Sequence, residues 1–169
     1  MTSSKSISRT APSVVSDTVV ASSMLIVQTP GAGFVDLTRE VAKFIGDTGA
    51  REGALTIFIR HTSASLTIQE NADADVQADL LDALDRLAPA GPIYRHSIEG
   101  PDDMPAHIKT VLTATSQAIP VLRGQLMLGT WQGLYVVEHR ARPHTREVVL
   151  HFSGTRAVPP GRSSIGSRG

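Results

Sequence analysis

Residues 53–61 read GALTIFIRH. Leu55, Ile57, Ile59 and His61 fall on one face of an extended chain, and Ala54, Thr56, Phe58 and Arg60 fall on the other. Alternation with a period of two over this length is the signature of a strand. On the N-terminal side, TVVASSMLIVQT (18–29) and GFVDLT (33–38) also read as strands. The second of them runs into a helix, TREVAKFIGDTG (38–49), which ends where Gly46 and Gly49 supply flexible or left-handed positions. On the C-terminal side comes a short strand, LTIQE (66–70), and then a helical stretch, NADADVQADLLDALDRLAP (71–89). Val76, Leu80, Leu84 and Leu87 recur there at helical spacing, and Asp75, Asp79, Asp82 and Asp85 supply much of the polar face. Asn71 or Asp73 can cap this helix, and Pro89 and Gly91 stop it. A shorter helix begins near Met104-Pro105 and runs through AHIKTVLTAT (106–115). The last third, IPVLRGQLMLGT, WQGLYVVEH and TREVVLHF, is strand again, broken or sharpened at Gly124, Gly129 and Gly133. Runs of strands with helices between them predict an α+β fold with a mostly antiparallel sheet system, not a doubly wound α/β fold.

The 169 residues and 41% hydrophobic composition suit one domain with a real core. Lysine plus arginine equals aspartate plus glutamate at 16 each, so there is no global basic field for nucleic acid or anionic membrane. Aromatic residues make up only 4%, which argues against a base-stacking surface. No apolar run approaches the roughly 18–20 residues needed to span a bilayer. The apolar stretch VVSDTVV near the N-terminus is interrupted by Ser16 and Asp17, so no secretory signal is expected and the expected compartment is cytoplasmic. Residues 1–16 and 155–169 are rich in small and polar residues and read as disordered tails around a single domain, 17–154.

There is no cysteine, so any metal must be held by imidazole nitrogen and by oxygen. Six histidines are present. His61 leaves the core side at the end of its strand, beside the hydroxyls of Thr62, Ser63 and Ser65. It reads either as a site residue or as a half-buried histidine satisfied by a backbone carbonyl. His96 and His107 bracket RHSIEGPDDMPAH (95–107). His96 follows an extended segment, PIYR, and His107 lies early in a helix. The Gly100-Pro101 break between them can turn the chain back and bring the two rings together, with Glu99, Asp102 and Asp103 nearby. Such a set suits zinc or a related divalent ion, yet its spacing matches no standard zinc motif, and a solvated acidic loop is the other reading. Glu138 ends an apolar row, Leu134 and Val136, where a carboxylate must be paired or must emerge into solvent. Trp131 and Gln132, between Gly129 and Gly133, read as a tight crossing or a pocket wall. The turn HRARPHTR (139–146) is basic and could attract a phosphate. Neither a phosphate-binding glycine loop nor a nucleophile elbow is present.

Taken together, HTSASLTIQENADADVQADL, RHSIEGPDDMPAHIKT, IPVLRGQLMLGTWQGLYVVEH and TREVVLHF resemble the YjbQ-like family, also called UPF0047 or the secondary thiamine-phosphate synthase family. The resemblance covers roughly residues 18 to 153. It implies a β-sandwich-like pair of sheets with two or three helices, assembled as a homotrimer. It also implies a pocket of histidines and carboxylates that holds a divalent metal, zinc or magnesium. At matching positions His61, His96 and His107 become the metal or acid-base trio. Glu99, Asp103 and Glu138 join His61 as candidate catalytic groups, and Thr62, Ser63 and Gln132 become candidate substrate contacts. The implied reaction joins hydroxymethylpyrimidine diphosphate to thiazole phosphate, giving thiamine phosphate and pyrophosphate. The same motifs also fit a metal-assisted hydrolase, and a non-catalytic trimer binding metal or a small phosphorylated ligand is the remaining alternative.

Overall fold

A computed structural model describes residues 19–157. The alternating stretch lies in β3 (Ala50–Ile59), where Leu55, Ile57 and Ile59 are fully buried and Phe58 is exposed on the opposite face. The other elements, in chain order, are β1 (Val19–Thr29), β2 (Gly33–Asp36), α1 (Thr38–Thr48), β4 (Ala64–Glu70), α2 (Ala74–Leu87), α3 (Asp103–Leu112), β5 (Ser116–Leu122), β6 (Gln125–Leu126), β7 (Gln132–Glu138) and β8 (His144–Arg156). They build two sheets, β1-β8-β3-β5-β6 and β2-β7-β4, and every pairing in both is antiparallel. The fold is therefore α+β, with a pair of antiparallel sheets and three helices among the described residues.

The core lies between the sheets. Leu55, Ile57, Ile59, Val148, Leu150 and Phe152 from the larger sheet meet Leu66, Leu134 and Val136 from the smaller one, and Val41 and Ile45 of α1 join them. The outer face of the smaller sheet is covered by α2 and α3, which pack on β2 and β4. β7 is thus covered on both sides, and every residue from Gly133 to Glu138 is buried.

Helix ends follow the local chemistry. Asp73 caps α2 by accepting the Asp75 N–H at 2.9 Å, and Gly49 closes α1 in the left-handed region at φ 67°. Three readings of the sequence need correction. PIYR is not extended but lies in a run of turns between α2 and α3. Leu87, placed on the apolar stripe of α2, is the last residue of that helix and is 68% exposed. β8 runs on to Arg156, and Ala157 N–H donates to the Gly49 carbonyl at 2.8 Å, so residues 155–157 belong to the folded unit. The proposed tails at 1–16 and 158–169 lie outside the described residues.

Candidate metal centre

The loop from Ala88 to Asp102 reverses direction just after His96. Gly100 N–H donates to the Ser97 carbonyl and Asp103 N–H to the Gly100 carbonyl, two turns in succession. Gly100 makes this possible with φ 109°, a conformation L side chains rarely adopt. The reversal lays His96 against the first turn of α3. There His107 stands four residues after Asp103, on the same helix face.

Three ligand atoms converge, with His96, Asp103 and His107 each offering one within 4.8 Å of the others. His96 Nε2 is 2.6 Å from Asp103 Oδ2, and His107 Nε2 is 3.3 Å from the same oxygen. His107 Nδ1 lies 2.8 Å from the Thr62 carbonyl oxygen, which can only accept, so Nδ1 carries the proton. In the neutral ring the Nε2 lone pair then faces the Asp103 carboxylate, an arrangement that a proton or a cation between them relieves. A ring fixed through Nδ1–H to a carbonyl is the usual support for an imidazole that binds metal through Nε2.

Asp103 is 1% exposed. Burial pushes its carboxyl pKa up, but the hydrogen bond to His96 and the charges of Arg140 and the two histidines outweigh that and hold it below the usual carboxylate range. Arg140, in the β7–β8 turn, bonds Asp103 Oδ1, donates to Asp102 Oδ2 at 3.2 Å and donates to the Glu99 carbonyl at 2.7 Å. Oδ1 is thereby occupied and Oδ2 is left for the histidines. Asp102 also accepts the Ala141 N–H at 2.9 Å. Arg140 of the basic turn is thereby held by the acidic loop. The Glu99 side chain is 66% exposed, with its carboxylate 4.0 Å from Arg140.

Residues 23–155 match the family described as UPF0047 protein YjbQ-like. The chain belongs to the UPF0047 family. The UPF0047 protein sll1880 of Synechocystis is 50% identical over 132 residues, covering 78% of this chain and 90% of that protein. UPF0047 protein YugU of Bacillus subtilis is 40% identical over 120 residues, covering 71% and 89%. A crystal structure of an uncharacterised family protein from Clostridium acetobutylicum superposes with a TM-score of 0.71 at 38% identity, covering 76% of this chain and 98% of that one. A YjbQ-like protein of unknown function from Sulfolobus solfataricus gives 0.77 at 22% identity, covering 82% and 100%, a likeness of fold alone.

Within this UPF0047 chain, the trio named from resemblance is not the trio that meets. Asp103 stands with His96 and His107, and His61 is not among the converging ligand atoms. β3 pairs with β8 up to Ile59↔Val148, and Arg60 N–H still donates to the Glu147 carbonyl at 3.0 Å. In a regular antiparallel ladder the reciprocal bond would run from Glu147 N–H to the Arg60 carbonyl. Instead the chain turns away and Glu147 N–H donates to His61 Nε2 at 2.8 Å. His61 thus completes the strand pairing. It is bonded to the backbone as one reading of the sequence expected, but to an N–H and not to a carbonyl.

Glu138 is paired, as the costlier of its two readings required. It is fully buried. It accepts two bonds from Arg146 at 2.6 Å, one from Thr29 Oγ1 at 2.7 Å and one from Arg140 N–H at 3.0 Å. Burial pushes its carboxyl up, and these donors outweigh it, leaving the pKa below the ordinary value. Thr62 is exposed and its carbonyl holds His107, while the Ser63 carbonyl lies 3.5 Å from Arg146. Gln132 is not brought near these groups. It opens β7 six residues from Glu138, roughly 20 Å along an extended strand, and its Oε1 accepts the Gly129 N–H at 2.8 Å. Trp131 beside it is 66% exposed. The sequence reading missed Arg140 and Arg146, whose only signal was a basic turn next to a glutamate that had to be paired.

Proposed function

We propose that this chain is a metal-dependent enzyme acting on a small phosphorylated heterocycle, with His96, Asp103 and His107 as the metal-holding residues. The observation that carries the reading is the convergence of two imidazole nitrogens and one carboxylate oxygen, with His107 fixed through Nδ1. Two nitrogen donors favour zinc or a similar borderline ion over magnesium, which prefers an all-oxygen shell. A bound divalent cation would stabilise charge developing on a departing phosphate or diphosphate. The protein's own part is to hold the donors. Arg140 pins Asp103 so that Oδ2 faces the histidines, and Thr62 fixes the tautomer of His107. The half-exposed His96 leaves one side of the cluster open to a ligand. Glu99, exposed and near Arg140, is the carboxylate free to exchange a proton with such a ligand.

The finer proposal is thiamine-phosphate synthesis from hydroxymethylpyrimidine diphosphate and thiazole phosphate, supported by the family resemblance. Incubating purified full-length protein with both precursors and restored metal tests it, with thiamine phosphate and pyrophosphate as the products sought. Absence of both would remove the synthase assignment. Release of phosphate from one precursor alone would favour a hydrolase, and metal binding without any turnover a binding protein.

The homotrimer is likewise carried forward as a proposal. Its support is the outer face of the larger sheet, where Val20, Met24, Ile26, Phe58 and Leu122 are each more than 40% exposed. Further copies of the chain are the occupants proposed for that face. Among the described residues, no helix is long and apolar enough to cross a membrane.

A further inference from the structure

We propose that His61 and Arg146 form a binding site for one oxygen of an anionic ligand, a phosphate or carboxylate group, separate from the metal-holding trio. The tautomer of His61 is set by its contacts. Its Nε2 accepts the backbone N–H of Glu147 at 2.8 Å, and an amide nitrogen has no lone pair to offer in return. In a neutral imidazole the proton must then sit on Nδ1. Burial, with the charge of Arg146 next, lowers the pKa of His61 and so favours the neutral ring.

Nδ1 of His61 lies 3.4 Å from NH1 of Arg146. A guanidinium nitrogen only donates, so two N–H groups face the same space and neither can satisfy the other. Assigning the opposite tautomer would create a weak bond at 3.4 Å at the expense of a good one at 2.8 Å, and the shorter contact decides. The rest of the Arg146 guanidinium is engaged. Nε and NH2 each donate to Glu138 at 2.6 Å, and NH2 also lies 3.5 Å from the Ser63 carbonyl. Among the described residues NH1 is left without an acceptor, on a side chain only 4% exposed. Buried donors are almost always paired. An oxygen placed between NH1 and Nδ1 would pair both.

Glu138 balances the charge of Arg146, so the pair presents two aligned donors with little net charge. That suits a single oxygen at the edge of a larger anion. The neighbouring residue, Thr62, holds His107 through its carbonyl, which ties this segment to the trio. Binding at this pair of donors requires no metal.

The test is a titration of metal-free, full-length protein with inorganic phosphate and, separately, with acetate, following the His61 ring by long-range 1H–15N correlation. The expected spectrum places the proton on Nδ1, and either anion shifts it saturably. A response to phosphate alone narrows the ligand to phosphate, and a response to both leaves any anionic oxygen sufficient. Arg146→Lys keeps a cation for Glu138 but removes NH1, and it should weaken binding by about tenfold or more. Should that variant fail to fold, the wild-type spectrum still decides. A proton on Nε2, or a His61 ring unmoved by both anions, would overturn the proposal. Equal saturation in His61→Ala, followed on the bulk protein, would do so too. Because chelated protein is used, failure of the trio to bind metal leaves this result readable.

Discussion

His139 follows Glu138 in sequence but faces the opposite side of β7, buried beneath α3 with Ser65 Oγ 2.9 Å from its Nε2. Burial, with the nearby charge of Lys109, lowers its pKa from 6.5 to about 4. Between those values the unfolded chain binds more protons than the folded one, so stability falls as pH drops from 6.5 to about 4. The loss is on the order of 3 kcal/mol. Urea unfolding at pH 7, 5.5 and 4.5 should show this slope, and His139→Gln should flatten it. Glu138, whose pKa is lowered from 4.5, adds a second loss that begins only below that value. Removing its charge at neutral pH is costlier. Glu138→Gln leaves Arg146 buried without its anion and should destabilise by about 3–5 kcal/mol, measured by denaturant unfolding. Half of this was legible beforehand. A carboxylate ending an apolar row left two readings, a buried pair or a strand emerging into solvent, and its partner on β8 could not be named, because alternation gives the face of a residue and not the strand that lies opposite.

At the scale of elements, period-two and helical spacing placed most strands and all three helices, since one-sided burial writes itself into local sequence. What failed was non-local. The Ala88–Asp102 loop has no period, and only Gly100-Pro101 signalled the reversal that brings His96 to α3. The structure explains why His61 follows the β3 face yet leaves the core, because β8 offers an N–H after β3 has turned away. The other end of the same strand pair is set by two glycines. A Cβ on Gly154 would stand 2.1 Å from the Glu52 carbonyl oxygen and 2.7 Å from the Gly53 Cα, both backbone atoms. The register shifts between Ala50 and Gly53 there. Gly154→Ala must push β3 and β8 apart and should cost about 2 kcal/mol or more, read as a lowered urea midpoint. Arg140 links two elements, the β7–β8 turn and the start of α3. Arg140→Ala should lower stability, because Asp103 is left buried without its cation, and should weaken metal binding about tenfold or more, because Asp103 also loses the partner that orients it.

For the whole molecule, the larger sheet has a covered face and an open one. On the open face Met24 aligns with Val149 and Phe58, while Ile26 sits beside Glu147 and its partner Arg60. If copies of the chain meet there, Ile26→Asp with Phe58→Asp should convert a trimer to a monomer in light scattering and leave the far-UV spectrum unchanged. Alternation set Phe58 and Arg60 on the face of β3 opposite Leu55, Ile57 and Ile59, but carried no sign that none of the described residues covers that face. The central claim concerns the cluster at the start of α3. Calorimetric titration of chelator-treated, full-length protein with zinc tests it most directly, alongside His107→Ala and His61→Ala. The account predicts one zinc per chain, lost or weakened at least about a hundredfold in His107→Ala and retained in His61→Ala. Zinc binding that survives His107→Ala, or that vanishes with His61→Ala while the fold persists, would contradict it.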